Sequence, residues 1–338
     1  MSIKTFLQRQ NIEFSFQRYG IDALNYMALG LFASLIIGLI LKNLGAWLQL
    51  TWLMETGTQA QAAMGAAIGV GVAYALKSPP LVMLTATATG LAGASLGGAV
   101  GAFAAALIGS EMGKLVSKTT PVDIMVTPAV SLITGISAAQ FVSPFLAQIM
   151  QEIGNFITWS VDLQPFIMSI VLAILMGMIL TLPISSAAIA IALDLNGLAA
   201  GATTIGCCCQ MVGFAVMSFK ENRWGGLISQ GLGTSMLQMP NIMKNPQICL
   251  PPIISSALIA PIATLIFQMK NVPTGAGMGT SGLIGQIGTL EAMGYNTQTY
   301  FAIALLHFFL PALLTWLIAT IFRHKGWIRA GDLKLETE

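Results

Sequence analysis

Two acids stand apart from every basic cluster in this sequence. Asp194 lies in Ala192-Leu-Asp-Leu-Asn-Gly197, and Glu291 lies in Gly288-Thr-Leu-Glu-Ala-Met-Gly294. Each is flanked by amides and hydroxyls: Asn196, Thr203, Thr204 and Gln210 follow Asp194, while Asn271, Thr274, Thr280, Ser281 and Gln286 precede Glu291. Such groups both donate and accept hydrogen bonds, which suits the hydroxyls of a sugar. A carboxylate at a break in a helix can accept from two hydroxyls; it could equally bind a cation or carry a proton. No arginine falls between residues 19 and 222, so an anionic substrate is the poorer fit. His307, within the last apolar stretch, is a packing residue or a further hydrogen-bonding partner. The candidate substrate-binding set is therefore Glu291, Gln286, Thr280, Ser281, Asn271, Asp194, Asn196, Gln210 and His307. No catalytic residue, metal ligand or cofactor is expected.

Other motifs carry less. Gly277-Met-Gly-Thr-Ser-Gly282 fits the dinucleotide pattern, but that pattern needs a preceding strand and a βαβ unit. Its glycines are expected instead to allow a tight turn. Cys207, Cys208 and Cys209 are adjacent, and adjacent helical residues point about 100° apart, so they are expected to be small core residues. HExxH, P-loop and nucleophile-elbow motifs are absent.

These residues are carried by a very apolar chain. Of 338 residues, 55% are apolar and 8% charged, with a mean hydropathy of +0.79. Soluble domains carry roughly 25% charged residues. That excludes a soluble enzyme, and a net charge of +2 gives no footprint for nucleic acid. Ten uncharged stretches of at least 19 residues lie between charges, from 23–41 to 292–322. About 20 apolar residues cross a bilayer as a helix. The fold class is thus an all-α polytopic membrane protein of about 8–10 membrane segments, including re-entrant hairpins.

Charge sets the expected path. Lys4, Arg9 and Arg18 at one end and Arg323, Lys325, Arg329 and Lys334 at the other place both termini in the cytoplasm. Lys114 with Lys118 and Lys220 with Arg223 belong on the same side, and the acidic stretch Glu152–Asp162 on the other. The early charges and the absence of a cleavage pattern imply that Ala23–Leu41 stays as a span. The stretch 78–110 must start and end inside, which predicts a hairpin hinged near Gly90–Gly93; 184–219 predicts a second, hinged near Asp194–Gly197.

The two hairpins suggest an internal repeat, with halves at about 20–150 and 160–322. They sit inside one transport domain, 1–330, followed by a cytoplasmic tail, 331–338. Repeats with broken helices are common in secondary transporters. The polar stretches 224–243 and 271–290 cannot face lipid and are expected to be re-entrant or interfacial. Gly65xxxGly69, Gly93xxxGly97 and Gly97xxxGly101 are expected to let helices approach closely.

The run Asn271-Val-Pro-Thr-Gly-Ala-Gly-Met-Gly-Thr-Ser-Gly-Leu-Ile-Gly-Gln286, with Ala192-Leu-Asp-Leu-Asn-Gly-Leu-Ala-Ala-Gly-Ala202, resembles the phosphotransferase-system enzyme IIC-like membrane proteins of bacteria, the perfringolysin O regulator-like proteins among them. The resemblance implies a homodimeric sugar permease of the bacterial cytoplasmic membrane, with re-entrant hairpins and a substrate-binding glutamate. It also implies separate IIB and IIA phosphocarrier partners, with phosphorylation by a phosphocysteine of IIB rather than by this chain. The familiar G-I-T-E motif is absent; Gly288-Thr-Leu-Glu291 is a loose echo. Two alternatives stay open on the residues alone: an ion-coupled transporter of a polar metabolite, and a membrane-bound regulator.

Overall fold

The computed structural model describes residues 3–335, so of the expected tail, residues 336–338 lie outside the described residues. Described residues form helices without strands; the one ladder-like pairing is an isolated antiparallel bridge between Gly197 and Asn271. Six helices are long and apolar enough to cross a membrane: Gln17–Ala46, Pro80–Val116, Asp123–Val142, Gly197–Met217, Pro246–Ile266 and Thr297–His324. Two shorter apolar helices are Met64–Ala75 and Pro165–Thr181. The chain falls into two compact units, Met1–Ile149 and Met150–Glu338.

In the first unit, Pro80–Val116 folds back on itself. Its backbone is non-helical at Gly97 (φ −147°) and Gly98 (φ 60°, ψ −147°). The two arms then run antiparallel: Gly93 lies against Gly101, Thr89 against Gly109, and Val82 against Gly113. The conformation of Gly98 is essentially restricted to glycine. The expected hairpin is therefore present, but its hinge sits beyond Gly90–Gly93. Those two glycines serve close packing instead, Gly90 against Gly65 and Gly93 against Gly101.

In the same unit Lys114, which charge assigned to the cytoplasmic side with Lys118, is a buried base. Its side chain is 1% exposed, with Nζ 2.7 Å from the Glu111 carboxylate. It donates to the carbonyls of Leu76 (3.0 Å) and Asn11 (3.1 Å). The Arg18 guanidinium donates to the Asn11 carbonyl and to its side-chain oxygen, both at 2.9 Å. An isolated buried cation is very costly; here every donor direction leads to an oxygen.

The second unit is built around Gly197–Met217, which is buried on nearly all sides. A helix that packs all round is a core helix, and its Gly, Ala, Thr and Cys side chains let neighbours come close. Gly206 is the tightest point: a Cβ there would lie 1.8 Å from the Ala173 carbonyl oxygen of Pro165–Thr181. Cys207, Cys208 and Cys209 are fully buried and free, as expected of small core residues. Around this pillar the chain is repeatedly broken. Short helices Ser186–Ala192, Pro273–Ala276 and Ile284–Met293 alternate with turns, and Ser229–Gly233 and Ala304–Phe309 are π-turns. Both polar stretches of the sequence are broken backbone, which is how a membrane chain satisfies amides outside regular helices.

Candidate substrate-binding site

The site grows from the break at Asp194–Gly197. Asp194 (φ 47°) and Gly197 (φ 61°) are left-handed, which separates Ser186–Ala192 from the central helix. Freed from helical pairing, the Gly197 amide donates to the Asn271 carbonyl (3.1 Å), and the Asn271 amide donates back (3.2 Å). The two motifs singled out in the sequence thus meet through their backbones.

Asn271 then ties three elements together. Its Nδ2 donates to Thr204 Oγ1 on the central helix (2.7 Å), to the Gly285 carbonyl (2.9 Å) and to Thr289 Oγ1 (3.2 Å). Its Oδ1 accepts from the Val272 amide (2.8 Å). Asn271 is 1% exposed, and both its amide nitrogen and its amide oxygen are bonded inside the protein.

One and two turns further along the central helix lie Cys208 and Met211. Gln286 Nε2 is 3.0 Å from His307 Nδ1 and 3.6 Å from Cys208 Sγ. With the amide nitrogen donating, Nδ1 is the bare imidazole nitrogen and the ring proton sits on Nε2. His307 belongs to the π-turn Ala304–Phe309; such turns interrupt α-helices frequently at functional sites. Thr280 Oγ1 donates to the Gly231 carbonyl and approaches Met211 Sδ at 3.6 Å. Gln210 lies on a separate branch, accepting from Thr181 Oγ1 at 3.4 Å, with Ser235 Oγ 2.9 Å from the same hydroxyl.

Two atoms of this region are left over. Ser281 Oγ and Gln286 Oε1 are buried and have no hydrogen-bond partner in the protein. Buried polar atoms are partnered in the great majority of cases, by protein or by water. An amide oxygen accepts and a hydroxyl does both, so the pair suits a ligand rich in hydroxyls. Network members are amides, hydroxyls, a thiol and an imidazole. Among the described residues, no group of three or more His, Cys, Asp and Glu could hold a metal ion.

The structure brings Asn271, Thr280, Ser281, Gln286 and His307 together in the buried interior around the central helix, with Gln210 on its own branch. Asp194, Asn196 and Glu291 are exposed. The Asn196 side chain donates to the Asp194 carbonyl at 3.1 Å. Lys270, next to Asn271, donates its amide to Met293 Sδ at 3.3 Å, which draws the end of the Glu291 helix toward the Gly197–Asn271 bridge. The two acids thus flank the bridge on the outside, while the amide and imidazole lie within.

Residues 21–335 match the family described as Phosphotransferase system, EIIC. The chain belongs to this family. EIIC members are the membrane permease components of sugar phosphotransferase systems, and this one is an all-α, multi-pass membrane protein. No curated protein and no solved structure matches it.

Sequence reasoning missed Cys208, Met211, Thr289 and the Gly231 carbonyl. The spacing Thr204, Cys208, Met211 (i, i+4, i+7) marks one helix face, and that signal was available once Thr204 was singled out.

Proposed function

We propose that this EIIC protein binds a small, neutral, hydroxyl-rich substrate, a sugar, at Gln286, Ser281, Thr280 and His307. Asp194, Asn196 and Glu291 are its rim. Asn271 holds the backbone that positions it, and Gln210 joins the central helix to Thr181 on a separate branch. One observation carries the reading: two buried polar atoms, Gln286 Oε1 and Ser281 Oγ, lack partners inside an uncharged polar network. Sugar hydroxyls would complete those bonds without burying charge. Separate IIB and IIA phosphocarrier proteins are the natural partners of an EIIC chain, and phosphoryl transfer to the sugar would come from them.

The same reading places the protein in a bacterial cytoplasmic membrane as a homodimer, with both termini cytoplasmic. The support is the family and the basic residues at both ends. The test is calorimetric titration of the full chain in nanodiscs with a panel of neutral hexoses, hexitols and disaccharides, alongside the same sugars as phosphates. Saturable binding of a neutral sugar that Gln286→Leu weakens supports the proposal. Binding of the phosphorylated sugars alone overturns it. Uptake by proteoliposomes that follows an ion gradient, with no IIB present, would favour an ion-coupled transporter.

A further inference from the structure

After the last long helix the chain does not run free. Ile328 and Leu333 are buried among Phe214, Ile248, Ala319 and Phe322. The backbone of this segment is gripped by side-chain amides from 222–245. Asn222 Nδ2 and Gln238 Nε2 both donate to the Leu333 carbonyl, at 2.7 and 3.0 Å. Asn241 Nδ2 donates to the Lys334 carbonyl at 2.9 Å, and Asn245 Nδ2 to the Trp327 carbonyl at 3.0 Å. The Leu335 amide donates back to Asn222 Oδ1 at 2.9 Å. Side chains here do what a neighbouring strand does when an extended peptide adds to a sheet: they read main-chain groups.

The amides also bond one another in a line. Asn241 donates to Gln238 Oε1 (2.8 Å), Gln238 to Gln230 Oε1 (2.8 Å), and Gln230 to Ser218 Oγ (2.9 Å) and the Gly226 carbonyl (2.9 Å). Gln230 and Gln238 are fully buried. Gln230 sits in the π-turn Ser229–Gly233, and the next residue, Gly231, accepts the bond from Thr280. The line therefore runs from the Leu333 carbonyl through Gln238 and Gln230 to the turn against which Thr280 and Ser281 rest.

We propose that segment 327–335 is a releasable clasp, and that Gln238 and Gln230 are positioning residues through which it holds the Gly231 turn against Thr280–Ser281. With the clasp closed, the turn is fixed and Ser281 stays buried. With Leu333 withdrawn, Gln238 loses one partner, Gln230 is no longer oriented, and the turn can leave Thr280. The bonds to the main chain all come from neutral amides; the one charged group in the grip is the half-buried Asp332 carboxylate, which accepts from Asn245 Nδ2 at 2.8 Å. The consequence for transport rests on the reading of Thr280–Gln286 as the substrate site; the coupling itself is tested without any substrate.

The experiment uses the full chain in nanodiscs with Cys249→Ser, because Cys249 is the one native cysteine that is not fully buried. Two reporters are made separately, Leu333→Cys for the clasp and Ser281→Cys for the site wall, and N-ethylmaleimide labelling is followed by peptide mass spectrometry. Gln238→Ala is then added to each. Loss of a neutral hydrogen bond predicts labelling about three- to tenfold faster at position 333, and a rise of similar size at position 281, both read well below the unfolding midpoint of the variant. Should Gln238→Ala not fold, Asn222→Ala removes a donor to the Leu333 carbonyl and the acceptor of the Leu335 amide, and carries the same comparison. Faster labelling at 333 with no change at 281 would overturn the coupling, and no change at 333 would overturn the clasp. Neither outcome depends on which sugar binds, so a failed titration leaves this result standing.

Discussion

The two units hold packed chain segments by different chemistry. In the first, Lys114, near the end of Pro80–Val116 and paired with Glu111, and Arg18 grip the carbonyls of Asn11 and Leu76 as buried cations. In the second, the turn after the central helix pairs Glu221 with Arg323 at 2.9 Å, and the adjoining chain is gripped by neutral amides. Removing one partner of a buried ion pair strands the other charge and costs several kcal/mol. A neutral bond costs far less to open. The first unit is thus built to stay shut, and the second has the cheaper moving parts. The broken helices follow the same division. Gly97–Gly98 closes a hairpin on small side chains, whereas Asp194–Gly197 feeds a backbone bridge and a network of side-chain amides and hydroxyls.

The strongest way to break this comparison is at Lys114. Lys114→Ala leaves Glu111 buried and uncompensated, and should cost about 3–5 kcal/mol, seen as a lower unfolding midpoint in detergent. Lys114→Met with Glu111→Gln removes both charges and should recover part of that loss. If Lys114→Ala is as mild as an amide substitution in the second unit, the charged clamp is no firmer than the neutral one. The corresponding measurement in the second unit is Gln238→Ala. It removes a donor from the Leu333 carbonyl and leaves buried acceptors behind, so about 1–3 kcal/mol is expected. The same unfolding assay ranks the two directly.

Legibility in the sequence followed the same line between units. Charge spacing was enough to find the all-helical membrane fold, because each uncharged stretch must sit in lipid or in protein. The first hairpin was legible from the 33 uncharged residues 78–110, but its hinge was not. Gly90, Gly93, Gly97 and Gly98 are alike in composition, and only the fold tells which of them turn and which pack. The burial of Lys114 was not legible, because the sequence gives its charge and not the carbonyls that surround it. Asn271 and Gln286 were legible as polar groups too costly to face lipid. Their different uses were not: Asn271 is bonded at both ends of its amide as a tie between segments, while Gln286 keeps an unpartnered oxygen. The clasp was illegible, since its partners lie about a hundred residues apart.

Within the second unit the sharper contrast is between depth and rim. Gln286→Leu deletes the unpartnered acceptor and the contact with His307. Loss of one or two neutral bonds to a sugar predicts about tenfold weaker binding by calorimetry. Stability should hold, because a partly unsatisfied buried amide is replaced by an apolar group of similar size. A tenfold loss from Asn271→Ala would mean something else, since the Asn271 amide already ties three elements together; its variant should lose stability and binding together.

Glu291 carries the smallest expected effect and the most pointed test. A carboxylate bonded to substrate hydroxyls in a dry site contributes about 1.5–3 kcal/mol per bond, and the sequence alone assigned it that role. In the fold Glu291 is exposed, two residues before the Met293 sulfur that meets the Lys270 amide. There it competes with water for every hydroxyl, and charge interactions in water are weak and screened by salt. Glu291→Gln should therefore weaken sugar binding by about threefold or less, at unchanged stability, and the residual effect should shrink as salt is raised. Gln286→Leu should exceed it at every salt concentration. A larger and salt-independent loss from Glu291→Gln would place the binding centre at the rim. It would require the Glu291 helix to turn inward on binding, and would make Gln286 and His307 the support rather than the site.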